Sequence, residues 1–166
     1  EFFLTDASLE WIRKGRALTL NGSRRLLIEF PWYQKVQLGS SETELLKQVL
    51  DAGYEVIIAH PERYKSVQED FSMLKRWRAM GCDFQVNRTS LILNEDKEQC
   101  ALAWRMVEEG YCDAVGTDAH HCWGKRVIKL SDVQAEIERR TDRDTALRLC
   151  HENGRRLITG EALIHC

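Results

Sequence analysis

The sequence predicts an α/β protein built on parallel strands, and three observations predict it. Short β-branched runs recur along the chain, and amphipathic stretches that stop at glycine fall between them. The alternation repeats at roughly 30 residues, the spacing of a strand–helix–strand unit. The first run is Leu26-Leu27-Ile28, which leads into Glu29-Phe30-Pro31. A helical pattern follows over 42–52, with Leu45, Leu46, Val49 and Leu50 on one face and a stop at Gly53. The second run, Val56-Ile57-Ile58-Ala59, leads into His60-Pro61-Glu62-Arg63. A helix over 71–80 carries Phe71, Leu74 and Trp77 and stops at Gly81. Phe84-Gln85-Val86 is the third run, ending at Asn87, and 101–107 is helical as far as Gly110. The fourth run, Ala114-Val115, opens Gly116-Thr117-Asp118-Ala119-His120, and two further helices are expected over 133–137 and 146–150. Glycine after a helix supplies the left-handed residue that closes it.

Composition narrows the function. The chain has 166 residues, 43% hydrophobic and 30% charged, which suits one folded domain over 1–166. With 24 basic and 26 acidic residues the formal charge is −2, so binding driven by nucleic-acid phosphates is not expected. No apolar run approaches the length of a membrane span, and no signal peptide opens the sequence. The six cysteines, Cys82, Cys100, Cys112, Cys122, Cys150 and Cys166, show no CxxC pair. They read as reduced, small apolar residues, which points to the cytoplasm.

Glu29, His60, Asn87 and Asp118 each stand at the end of a predicted strand. In barrels and open α/β sheets the carboxyl ends of strands carry the chemistry. Glu29, His60, Asp118 and His120 form a mixed oxygen and nitrogen donor set suited to manganese, iron or zinc. If strand geometry continues through Asp118-Ala119-His120, the outer two point to one side. Arg63, three residues beyond His60, offers a fork donor for phosphate. A metal that acidifies bound water, beside an arginine that neutralises phosphoryl oxygens, is the apparatus of phosphoester hydrolysis. The stretch 82–89 also matches the CxxxxxR(S/T) spacing of thiolate phosphatases. Its intervening residues alternate as a strand does, however, and Cys82 begins that strand, so the match reads as coincidence. His121, Cys122, His151, His165 and Cys166 show no useful partner spacing, and Lys75-Arg76-Arg78 reads as a solvated helix face. No phosphate-binding glycine loop and no GxSxG elbow occurs.

The strings LLIEFP, IIAHPERY, FQVNRTSL and GTDAH, in that order, resemble the polymerase-and-histidinol-phosphatase (PHP) superfamily, most closely the capsule-type bacterial tyrosine phosphatases of the CpsB/CapC group. The resemblance runs over nearly the whole chain. It implies a distorted barrel of seven β/α units, a cluster of two or three ions, usually manganese, and hydrolysis of phosphotyrosine on the kinases that govern capsule and exopolysaccharide export. By resemblance the metal ligands are Glu29, His60, Asp118 and His120. Glu1, with its Phe2-Phe3-Leu4 flank, is similar to a further ligand glutamate. Arg63 is implied to contact phosphate and Asn87 to line the site. Beyond the Asp-Ala-His string the family carries an arginine, where this sequence has Lys125 in register and Arg126 next to it.

The family's initial histidine-rich HxH strands are not in this sequence, and four predicted strands are too few for a barrel. The chain is therefore expected to be the carboxyl-terminal part of the domain, with weak metal binding and little activity alone. An open barrel edge is expected to favour self-association. Other substrates of the superfamily, such as histidinol phosphate, and a non-catalytic scaffold that binds a kinase tail are the alternative readings.

Overall fold

The computed structural model describes residues 1–31, 41–93 and 95–165. Its strands are β1 (Phe2–Phe3), β2 (Arg25–Glu29), β3 (Glu55–Ala59), β4 (Cys82–Asn87) and β5 (Ala114–Gly116). They pair in chain order as one five-stranded sheet in which every pairing is parallel. The order never reverses, unlike that of a doubly wound sheet. Helices α1 (Asp6–Arg13), α2 (Glu42–Asp51), α3 (Lys65–Glu69), α4 (Ser72–Ala79), α5 (Arg88–Ile92), α6 (Lys97–Glu108), α7 (Ser131–Arg140), α8 (Arg143–Leu147) and α9 (Asn153–Thr159) complete it. A π-helical turn, Arg148–Glu152, joins α8 to α9. No helix among the described residues is long and apolar enough to cross a membrane.

The four expected strands and the helices after them are present with small shifts of boundary. Gly53, Gly81 and Gly110 have φ of +83°, +96° and +74°, so each expected stop is a left-handed residue. Helix starts follow from side-chain oxygens that accept orphan backbone N–H groups: Ser41 from Glu44 and Asp96 from Gln99. The sequence reading did not anticipate β1, α1, α3, α5 or α9. β1 exists only through its register with β2, Phe2 opposite Ile28 and Phe3 opposite Glu29.

Strand alternation divides the sheet into two faces. Leu26, Ile28, Val56, Ile58, Phe84 and Val86 join the buried core with Leu45, Leu46, Trp77, Ala103 and Met106 of the helices. Leu27, Ile57 and Gln85 lie on the other face, where Leu157 and Ile158 line the same small cavity. Glu29 and Asn87 share the parity of this second face, two residues beyond Leu27 and Gln85. The buried hydroxyl of Tyr64 donates to the Ala59 carbonyl at 2.7 Å and accepts from the Phe30 N–H at 3.2 Å, tying the ends of β3 and β2 together.

One surface expectation is corrected. Arg78 does not belong to a solvated face: its guanidinium pairs with Asp83 at 2.9 Å and Asp113 at 2.7 Å and lies over the Phe84 ring. Asp83 comes from β4 and Asp113 from the residue before β5, whose carboxylate accepts from the Phe84 N–H at 2.7 Å, and Arg78 is the cation that meets both. The cysteines among the described residues are free thiols, as expected, and Cys166 lies outside those residues.

Candidate active site

The site begins where β3 ends. The His60 N–H still bonds to the Gln85 carbonyl at 2.7 Å, but its φ of +35° turns the chain out of the strand. A non-glycine residue in that region is uncommon and costs energy that the surroundings must offset. Among the described residues three non-glycine positions have positive φ, and two of them are His60 and Asp118. The turn buries the imidazole to 1% exposure and points Nε2 at Oε1 of Glu29 (3.5 Å) and of Glu1 (3.6 Å). These distances exceed those of a good hydrogen bond. They lie just above the separation of neighbouring donors around one ion, about 3.0–3.4 Å for bonds of about 2.1 Å, so a small inward movement of the carboxylates would bring all three donors onto a cation. One donor atom from each of Glu1, Glu29 and His60 lies within 4.8 Å of the others. The neighbouring His60 imidazole holds the Glu1 carboxyl below its ordinary range, against the opposing effect of burial. Nδ1 of His60 is buried with no hydrogen-bond partner among the described residues. Two carboxylates and an imidazole, one before β1 and two at the carboxyl ends of β2 and β3, fit a divalent cation.

Asp118 forms the second half. β5 ends at Gly116, and φ of +48° at Asp118 departs from strand geometry, so the expected continuation through His120 is not found. The Asp118 carboxylate is 4% exposed and accepts from Arg63 at 3.1 Å and from the Asn87 amide at 3.0 Å, and it pairs with Arg126. Burial works against its charge, but Arg126 and Arg63 hold the carboxyl below its ordinary range. Arg63 thus pairs across the site with Asp118. Asn87 is fully buried, and its Oδ1 accepts from Gln85 Nε2 at 2.9 Å. A Cβ at Gly116 would come within 2.6 Å of that nitrogen, so only glycine leaves room for the Gln85 side chain that orients Asn87.

The remaining candidates are placed differently. His120 is 55% exposed, with Nδ1 at 2.9 Å from the Asp118 carbonyl; it stands on the solvent side of Asp118, outside the Glu1–Glu29–His60 group. Arg126 donates to the Asp118 carbonyl as well as pairing with its carboxylate. Lys125 pairs with Glu95 instead, at the exposed rim.

Two groups were missed in the sequence. Glu62 is completely buried; its Oε1 accepts from the Asn87 N–H at 3.0 Å and the Ser90 hydroxyl at 2.7 Å, and its carboxyl is raised by burial. It braces the segment that carries Asn87, and nothing in the spacing of HPER distinguishes it from a surface residue. His165, read as incidental, sits with Asp113 at 3.0 Å and Asp83 near the start of β4. Arg78 already supplies the cation there, so this group is an ion-pair network.

A model of the family described as capsular polysaccharide synthesis, CpsB/CapC, matches residues 1–159. The chain belongs to the CpsB/CapC family. The tyrosine-protein phosphatase YwqE of Bacillus subtilis is 31% identical over 110 residues, 66% of this chain and 42% of that protein. The tyrosine-protein phosphatase CpsB of Streptococcus pneumoniae is 33% identical over 90 residues, 52% of this chain and 35% of that protein. This CpsB/CapC chain spans about half the length of the curated relatives it matches. A solved structure from work on YwqE and CpsB, described there as metal-dependent tyrosine phosphatases, superposes with a TM-score of 0.81 at 25% identity. The match covers 95% of this chain and 62% of that one.

Proposed function

We propose that this chain carries part of the active site of a metal-dependent protein-tyrosine phosphatase. The observation that carries the reading is the convergence of Glu1, Glu29 and His60 on one point, beside an Asp118 carboxylate flanked by Arg63 and Arg126. Glu1, Glu29 and His60 would share one ion, with Asp118 and His120 as ligands on the opposite side. Manganese suits the oxygen-rich donor set, and iron or zinc would also be accepted. When bound, such ions supply positive charge toward phosphoryl oxygens and acidify the water in their shell. Arg63 and Arg126 bring two planar donors to the same place and neutralise the equatorial oxygens as the ester bond breaks. Asn87 and Gln85 keep Asp118 in position while charge redistributes around it.

The sequential parallel strand order supports an arc of a distorted seven-unit β/α barrel, incomplete in its first strands. The names of the relatives support phosphotyrosine as substrate, and the family resemblance adds a bacterial tyrosine kinase in capsule or exopolysaccharide control as the protein that would carry it. The free thiols support a reducing, cytoplasmic setting. An edge strand of two residues with Phe3 partly exposed supports self-association along β1.

The test is a paired measurement on the full gene product and its His60→Ala variant, stripped of metal, reloaded with manganese and given a phosphotyrosine peptide. Phosphate release together with retained metal, both lost in the variant, is expected. Peptide binding without turnover by the loaded protein would replace the enzyme with a scaffold.

A further inference from the structure

Arg63 and Arg126 face two ways. Besides meeting at Asp118, they line a cleft of about 350 Å³ to which Glu1, Glu29 and His60 contribute nothing. The cleft runs between α5, the start of α6 and the segment that carries Lys125 and Arg126. Its polar groups are largely occupied within the chain. The Ser90 hydroxyl donates to Glu62 and accepts from Gln99 Nε2 at 2.7 Å, the Asp96 carboxylate caps α6, and Lys125 pairs with Glu95. The remaining lining is half-buried Leu93, Thr89 and Lys125, whose side chains carry apolar carbons, together with Arg63 and Arg126. A ligand complementary to that arrangement has an anionic head joined to a flat apolar body.

We propose that this cleft receives the aromatic ring of a phosphotyrosyl residue while its phosphate lies at Arg63 and Arg126. The assignment rests on the phosphoester reading above and adds the residues that select an aryl over an alkyl ester: Thr89, Leu93 and the stem of Lys125. The volume is at the lower end of ligand-sized clefts, which run from about 300 to 1,000 Å³. It holds one ring with its flanking backbone, whereas a phosphoserine would leave Leu93 in contact with water.

The probes are O-phospho-L-tyrosine, O-phospho-L-serine and inorganic phosphate, each titrated calorimetrically into the full gene product with manganese in excess. Burying one ring against an apolar wall predicts that phosphotyrosine binds roughly tenfold more tightly than phosphoserine. Thr89→Phe, which fills the cleft, should erase that preference and leave the affinity for inorganic phosphate unchanged. Leu93→Ser should weaken phosphotyrosine alone, and it carries the same test should Thr89→Phe not fold; unchanged phosphate binding certifies the fold of either variant. Equal affinity for the two phosphoamino acids, or a preference that survives in a folded variant, overturns the cleft assignment and leaves the phosphoester reading standing. Failure of all three probes to bind overturns both.

Discussion

At the scale of single residues, Cys82 separates two chemistries that share a phosphate ester as substrate. It stands at the spacing from Arg88 that a thiolate phosphatase requires, but it opens β4, is wholly buried, and its thiol is pushed up to about 12, by burial first and then by Asp83. Arg88 is turned away, donating to Asp132 and to the Lys125 carbonyl. A thiol with so high a pKa is protonated throughout the neutral range and cannot attack phosphorus. Cys82→Ala should therefore leave phosphotyrosine hydrolysis by the full gene product within about twofold of the parent rate. In the native chain near pH 8, iodoacetamide should label exposed Cys122 and spare Cys82, as peptide mass mapping would report. Loss of turnover in the alanine variant would reopen the thiolate route. The same residue scale shows what spacing conveys. Glu29, His60, Asp118 and Arg63 were legible because each follows a β-branched run, where the strand geometry itself puts side chains at one end of the sheet. Glu62 was not legible, since its burial depends on the short turn 61–63 carrying it under Asn87 and Ser90. The left-handed backbone at His60 and Asp118 was equally invisible, being imposed by tertiary contacts on residues that do not favour it.

At the scale of elements, the site depends on how α5 and α7 are clasped. Arg88, the first residue of α5, donates from Nε and a terminal nitrogen to the two oxygens of Asp132 in the first turn of α7, at 2.8 and 2.6 Å. Its other terminal nitrogen holds the Lys125 carbonyl at 2.9 Å, next to Arg126. The Asp132 carboxyl is depressed chiefly by the hydrogen bonds from Arg88. A carboxyl whose folded pKa lies below its unfolded value, about 3.9, stabilises the fold at every pH above that value. The contribution disappears as the pH falls through the lower, folded value. Asp132→Asn should thus cost about 1–2 kcal/mol near neutrality, allowing for partial exposure of the carboxylate. The gap between variant and parent urea midpoints should close as the pH is taken below about 4. A gap that persists unchanged into acid would mean that the charge of Asp132 is not what holds the helices. Element by element, the sequence was readable where local chemistry terminates a segment, as Gly53, Gly81 and Gly110 do. It was opaque for β1 and α5, which are too short for any period and exist through partners remote in the chain: β2 for one, Asp132 for the other.

At the scale of the whole molecule, the proposed metal centre would couple ion binding to folding. Glu1 precedes β1, Glu29 closes β2 and His60 follows β3, so they meet only when the parallel pairings have formed. An unfolded chain holds these residues tens of positions apart and offers an ion at most one or two of them. An ion held by these three residues would therefore bind the native state alone and stabilise it by about 2.7 kcal/mol at one hundred times its dissociation constant. For a chain of this size that corresponds to a rise in Tm of roughly 5–10 °C, which a chelator should reverse. The two ends of the cluster should not count equally. His60 is 1% exposed and held by its backbone to β4, whereas the Glu1 side chain is 29% exposed and precedes a strand of two residues. A ligand fixed by its surroundings contributes more than one that must be ordered at the moment of binding. His60→Ala should accordingly abolish the manganese-dependent rise in Tm, and Glu1→Ala should reduce it without removing it. A parent chain whose Tm ignores manganese would dismiss Glu1, Glu29 and His60 as a metal centre, however well their spacing fits one. The reverse order, with Glu1 decisive and His60 dispensable, would place the ion outside the pocket into which His60 is turned.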